Sequence, residues 1–146
     1  MFCAVVIYAP DDAQMRRIAS TLAEAATGKK CSVTLKPAGG AAIPALAGAE
    51  LIIFASRPEG RQDIHPDFSE LVRGLAGVNL AGRVGGILAT SPKALSAFKA
   101  ALKDSELILG EDGCLLVQDA AAADRGGLFR WVEALVDRLH QIAHGR

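Results

Sequence analysis

The chain has 146 residues, 51% of them hydrophobic and 22% charged, with 16 Lys plus Arg against 16 Asp plus Glu. That length fits one domain over 1–146 with a substantial core, and the composition excludes a disordered chain. A formal charge of zero excludes the basic field of a general nucleic-acid binder, and the longest uncharged stretch, Pro37–Ala49, is too broken by proline and glycine to span a membrane.

Residues 2–8 are apolar and rich in Val and Ile, the pattern of a short buried strand. The chain then runs through Ala9-Pro-Asp-Asp-Ala-Gln14 into a helical stripe of Met15, Ile18 and Leu22. Asp11 or Asp12 is placed to cap that helix, and Gly28 to stop it. From Cys31 to Lys36 the side chains alternate: Cys31, Val33 and Leu35 against Ser32, Thr34 and Lys36. That fits an edge strand with one polar face. Residues 38–49 are small and interrupted by Gly and Pro, with room for one helical turn. Leu51–Ala55 is the most apolar strand and is expected at the centre of a sheet.

Ser56-Arg-Pro-Glu-Gly-Arg-Gln-Asp-Ile-His65 is a long polar loop, and long loops at strand ends are often functional. Pro66 opens a helix with Phe68, Leu71, Val72 and Leu75 on one face. Val84–Ala89 is the next strand. Ser91 and Pro92 supply an N-cap and a first-turn proline for a helix carrying Leu95, Phe98 and Leu102. Leu107–Leu109 reads as an extended piece, and Cys114–Val117 as the last strand. In the final helix Leu128, Trp131, Leu135, Leu139 and Ile142 recur at helical spacing, which puts Trp131 in the core.

Strands and helices therefore alternate. Parallel strands joined by right-handed crossovers place helices on both faces of the sheet, a three-layer α/β/α sandwich. Five strands in this pattern predict the order 2-1-3-4-5. Ligands are then expected at the carboxyl ends of strands 1, 3 and 4, at Ala9–Gln14, Ser56–Gly60 and Thr90–Pro92.

Three stretches carry a resemblance over nearly the whole length. They are Val5-Val-Ile-Tyr-Ala9, then Leu51-Ile-Ile-Phe-Ala-Ser-Arg-Pro-Glu-Gly60, then Leu80-Ala-Gly-Arg-Val-Gly-Gly-Ile-Leu-Ala-Thr-Ser91. The second is similar to the third strand and Ser-Pro-x-x-Gly-like flavin loop of the flavodoxin-like superfamily. The third is similar to that family's Leu-x-Gly-Lys approach to the fourth strand. The resemblance implies an FMN-binding electron-transfer protein or small oxidoreductase, working with a redox protein partner. It implies that Pro10, Asp11, Asp12, Ala13, Gln14 and Met15 meet the FMN phosphate. Ser56, Arg57, Pro58, Glu59, Gly60, Thr90 and Ser91 would then meet the ring.

The phosphate loop departs from the family pattern, which is rich in Ser and Thr and contains Gly. Such a loop works by offering N–H and hydroxyl donors at a positive helix end. Pro10 has no N–H, and ionised Asp11 and Asp12 only accept. A carboxylate about 5 Å from a phosphate charge costs about 1–3 kcal/mol at surface-like dielectric, so FMN is expected to bind weakly. Arg16 or Arg17 offsets this only by folding back over the loop. Residues 57–62 and 90–92 hold no Trp or Tyr to sandwich a flavin ring, and Tyr8 ends its strand with either face open to it. The other reading is a flavin-free flavodoxin-like domain that acts as an interaction or accessory module.

Asp11, Asp12 and Thr90 also resemble parts of a phospho-receiver domain. However, the third strand ends in Ala55-Ser56 without an acceptor aspartate, and Gln118 stands where a lysine is expected. The simpler expectation is that one aspartate caps the helix and the other is solvated. His140 and His144 lie opposite the apolar stripe of the last helix and are expected in solvent rather than on a metal. His65 has no evident partner and is expected to be an exposed loop residue. Cys3, Cys31 and Cys114 have no CxxC spacing and read as reduced core thiols of a cytoplasmic protein with no visible signal peptide. A Cys3–Cys31 pair on neighbouring strands is the alternative.

Overall fold

The structure is a computed structural model that describes residues 2–41, 43–109 and 113–144. Five parallel strands form one sheet in the order β2-β1-β3-β4-β5, as expected from the sequence. They are β1 (Cys3–Ala9), β2 (Ser32–Pro37), β3 (Leu51–Ser56), β4 (Val84–Ala89) and β5 (Cys114–Leu116). The helices are α1 (Ala13–Gly28), α2 (Ile43–Ala47), α3 (Ser69–Leu75), α4 (Pro92–Ala101) and α5 (Arg125–His144).

Strand alternation assigns each side chain to a face. Ala4, Val6 and Tyr8 of β1 and Ile53 of β3 join Met15, Ile18 and Leu22 of α1 and Leu135 of α5 in one core. Val5, Ile7, Ile52 and Phe54 point the other way, into a second core with Leu46, Leu71 and Phe98. In that second core Phe54, Phe68 and Phe98 form an aromatic triad, with the Phe68 and Phe98 rings edge-on at 4.9 Å. Every residue of β3 and β4 is buried, as befits parallel strands covered on both faces.

β4 has two consecutive glycines at its centre, and neighbours fill the space they leave. A Cβ on Gly86 would stand 2.7 Å from Leu135 Cδ1 and 3.0 Å from Trp131 Cζ2. Glycine therefore lets α5 approach the sheet, and Trp131 is buried against it at 7% exposure. On the opposite face the side chains of Leu107 and Leu109 lie over Gly85.

Several local expectations are modified. α1 runs through Gly28, and the left-handed residue that ends its turn is Lys30, at φ 66°. The reversal is closed by backbone bonds from Lys29, Lys30 and Cys31 to Ala26 and Thr27 carbonyls, so no glycine is needed there. The helix predicted at Pro66 starts as a 3-10 turn, Pro66–Phe68, before α3. Segment 38–49 holds a 3-10 turn, Ala38–Gly40, and the five-residue α2. β5 pairs only with Ile87–Ala89. The first half of that edge is supplied by the extended piece around Ile108, which bridges Val84 and exchanges bonds of 2.8 and 2.9 Å with Gly85 and Arg83.

The three cysteines are free thiols. Cys31 and Cys3 lie on opposite faces: Cys31 is buried beside α1, while Cys3 lines a groove with Val5 and Thr34 below α2. Cys3 is exposed and Cys114 half-buried, so Cys31 alone fits the core reading made for all three. The exposed His140 ring packs edge-on against Phe2 at 5.0 Å, and the side chain of His144 lies outside the described set. Among the described residues no three His, Cys, Asp or Glu side chains are grouped to hold a metal. Nor is any described helix long and apolar enough to cross a membrane.

Candidate ligand site at the carboxyl edge of the sheet

The strand order brings the ends of β1, β3 and β4 side by side, with Ala9 in register with Ser56 and Ser56 with Ala89. Backbone bonds tie these ends together: Arg57 N–H donates to Ala9 O at 3.0 Å, and Thr90 N–H to Ser56 O at 3.2 Å. Ser56 itself is fully buried, and its hydroxyl has no partner among the described residues.

The loop after β1 is filled by its own side chains. Asp12 is the N-cap of α1, its Oδ1 accepting from Met15 N–H at 2.9 Å. Its Oδ2 meets the guanidinium of Arg57, which also donates to Gln14 Oε1. Asp11 accepts from Arg16 Nε at 2.7 Å and from the Tyr8 hydroxyl at 3.2 Å. So Arg16 does fold back over the loop, whereas Arg17 turns away to the Ala120 and Ala121 carbonyls. Asp11 is thus a bonded residue rather than a merely solvated one. Tyr8 is buried, and burial together with the Asp11 bond raises its pKa.

Both aspartates are held in the ionised form. The Arg16 hydrogen bond keeps the Asp11 carboxyl below its ordinary value. For Asp12, burial acts in the opposite direction, but the Met15 N–H and the Arg57 guanidinium outweigh it and the pKa falls. Two carboxylates and two arginines therefore neutralise one another around the first turn of α1. Pro10, Ala13, Gln14 and Met15 surround this closed network, and the Met15 N–H is already taken.

The loop after β3 is pinned by His65. This residue is 5% exposed, which corrects the expectation of a solvent-facing histidine without partners. Its Nδ1 accepts from Asp67 N–H at 3.1 Å, so the ring proton sits on Nε2 and donates to Glu59 Oε2 at 2.9 Å. Proline at 66 and the following 3-10 turn direct the ring inward, a geometry that spacing alone does not announce. Glu59 and Gln62 bridge across a tight reversal in which Gly60 adopts φ 63°.

Between this reversal and the start of α4 lies a cleft of about 780 Å³. Its walls are Pro58 and residues 60–63 on one side and residues 91–93 on the other. Of the residues expected at a ring site, Pro58, Gly60 and Ser91 line it, and Thr90 does not. Ser56 is buried beneath the edge, Arg57 reaches towards α1 and Glu59 towards His65. Ser91 also caps α4 by accepting from Ala94 N–H at 3.1 Å. The sequence reading missed the link from Arg57 to Asp12 and Gln14. Its signal lies in the predicted strand order, which makes the first residue after β3 a neighbour of the loop after β1.

No protein-family model matches the chain, and no curated protein matches it by sequence. Solved structures do match by shape. A flavodoxin from Streptococcus pneumoniae TIGR4 superposes with a TM-score of 0.82 at 19% identity, covering 93% of this chain and 99% of that one. A short-chain flavodoxin associated with a PDU bacterial microcompartment gives 0.79 at 16% identity, over 95% and 99% of the two chains. A Fusobacterium nucleatum flavodoxin bound to flavin mononucleotide gives 0.74 at 11% identity, over 94% and 99%. With the strand order, the two-faced helical cover and these superpositions, the chain has the flavodoxin-like fold.

Proposed function

We propose that the chain is a flavodoxin-type electron-transfer protein that holds flavin weakly, chiefly by its ring and without a phosphate seat in the loop after β1. The observation that carries this reading is the 780 Å³ cleft at the ends of β3 and β4, within the size range of small-molecule sites. FMN fits the two halves of the edge differently. The cleft offers the Pro58 and Pro92 faces and the backbone of the 58–62 reversal to a flat ring. The closed network of Asp11, Asp12, Arg16 and Arg57 offers a phosphate two ionised carboxylates, while its guanidiniums and the Tyr8 hydroxyl are already committed to those carboxylates. When bound, flavin supplies the electron-accepting chemistry, and the protein contributes binding and orientation. Pro58, Gly60, Ser91 and Pro92 are the proposed ring contacts.

Titration of the folded protein with riboflavin and with FMN, followed by flavin fluorescence and absorbance, tests the proposal. Saturable binding with a dissociation constant of about 1 μM or weaker is expected, far from the tight binding of a filled phosphate loop. Absence of binding by either flavin would leave the second reading, a flavin-free module. That reading is favoured by the neutralised first turn of α1 and by the lack of an aromatic side chain in the cleft.

A further inference from the structure

The charges along the carboxyl edge are unevenly committed. Arg16 is held by Asp11, Arg57 by Asp12 and Gln14, and Arg17 by the Ala120 and Ala121 carbonyls. Glu59 is turned to His65. Two cations at this edge have no hydrogen bond or ion pair among the described residues, and both line the cleft. They are Arg61, at the tip of the Glu59–Gln62 reversal, and Lys93, in the first turn of α4. Among the described residues the cleft contains one opposing carboxylate, Asp63, so these walls carry a net positive charge. The amino end of α4 adds to the same sign.

We propose that anion recognition at this edge has moved from the loop after β1 to Arg61 and Lys93. The cleft then takes a ligand with a flat apolar body and a phosphate or other anionic group directed at these two side chains. The body lies between Pro58 and Pro92. The guanidinium of Arg61 presents paired donors to the anion, and Lys93 adds a point charge from the facing wall. The proposal rests on the flavin reading for the identity of the flat body only.

The test is a set of titrations with FMN and riboflavin on the wild type, on the double variant Arg61→Gln, Lys93→Gln, and on the double variant Asp11→Asn, Asp12→Asn. Two exposed charge contacts are expected to favour FMN over riboflavin by about threefold to tenfold in the wild type, with the preference falling as salt rises. The Arg61/Lys93 variant should lose this preference and keep its riboflavin affinity. The Asp11/Asp12 variant should keep it unchanged. An FMN preference that survives in the Arg61/Lys93 variant overturns the proposal, as does a wild type that binds both flavins equally. Selective FMN tightening in the Asp11/Asp12 variant also overturns it, because the phosphate would then sit at the first loop, while flavin binding itself stands. If neither flavin binds, the flavin reading falls and the anion seat is read with anilinonaphthalene sulfonate, a flat apolar anion. Binding lost in the Arg61/Lys93 variant supports the seat, and binding unchanged there, or absent from the wild type, overturns it.

Discussion

Arg57 and Asp12 are 45 positions apart in sequence, and their side chains join the end of β3 to the first turn of α1. Asp12 therefore has two tasks, since its other oxygen caps the helix. Asparagine keeps the cap and loses the charge, whereas alanine loses both. Asp12→Ala is expected to destabilise by about 1–2 kcal/mol and Asp12→Asn by less, because caps of either type serve equally well. Urea unfolding of the two variants checks the order.

Acid should weaken the same corner. Asp11 and Asp12 have folded pKa values below their ordinary 3.8. A carboxyl with a depressed folded pKa contributes stability that is present above the unfolded value and is lost as pH falls through the folded one. Stability is thus expected to fall below about pH 4, the usual aspartate range, with a shallower fall in Asp11→Asn, Asp12→Asn. Both carboxylates are partly exposed, so the contribution is small and salt reduces it. Unfolding free energy measured across pH 2–6 at two salt concentrations reads this out; parallel curves for wild type and variant would contradict it.

Trp131 and Gly86 are two sides of one contact. Trp131→Ala is expected to cost about 3–5 kcal/mol, since it empties a buried volume. Gly86→Ala overfills it and is expected to cost about 1–3 kcal/mol. Combined, the two changes should cost less than their sum, because the cavity left by one accommodates the methyl of the other. A thermodynamic cycle from denaturant unfolding measures the coupling.

His65→Ala should loosen the loop after β3. It leaves the Asp67 N–H without its acceptor and frees Glu59. A loss of about 1–3 kcal/mol follows if that N–H stays buried. Faster amide exchange and proteolysis confined to residues 57–67 are the expected signature, with the strands unaffected.

The thiols should react in an order set by exposure. Cys3 is exposed, while burial raises the pKa of both Cys31 and Cys114. Under native conditions a maleimide should label Cys3 first, and the other two only on unfolding. Mass spectrometry of the labelled protein checks both the order and the free state of all three.

The architecture was legible because it depends on period and alternation. The apolar runs at 51–55 and 84–89, the stripe Met15, Ile18, Leu22 and the Ser91-Pro92 start each follow from local chemistry. An aspartate cap, from Asp11 or Asp12, was legible for the same reason, and the structure assigns it to Asp12. What stayed hidden depends on how loops close and on which strands become neighbours. His65 is bonded by Glu59 and Asp67 through a loop shape that the residue pattern does not encode, and the commitment of Arg57 comes from the adjacency of β1 and β3. The split last strand was half visible: both extended pieces were marked in the sequence, but not their sharing of one edge. Cys3 lies at the open end of β1, where a short α2 leaves it uncovered, and an apolar run cannot signal that.

The paired glycines of β4 bear on the order in which the molecule assembles. Glycine gives a strand little intrinsic preference and a large entropy loss on ordering. β4 is thus shaped by what presses on it: Trp131 and Leu135 from one side, Leu107 and Leu109 from the other. Those groups lie downstream in the chain, so a nascent polypeptide that has exposed β1 to β4 still lacks the parts that hold β4 in place. Consolidation of the central sheet is therefore expected to await the carboxyl-terminal helix, and truncation ahead of Arg125 should leave β3 and β4 without their final order.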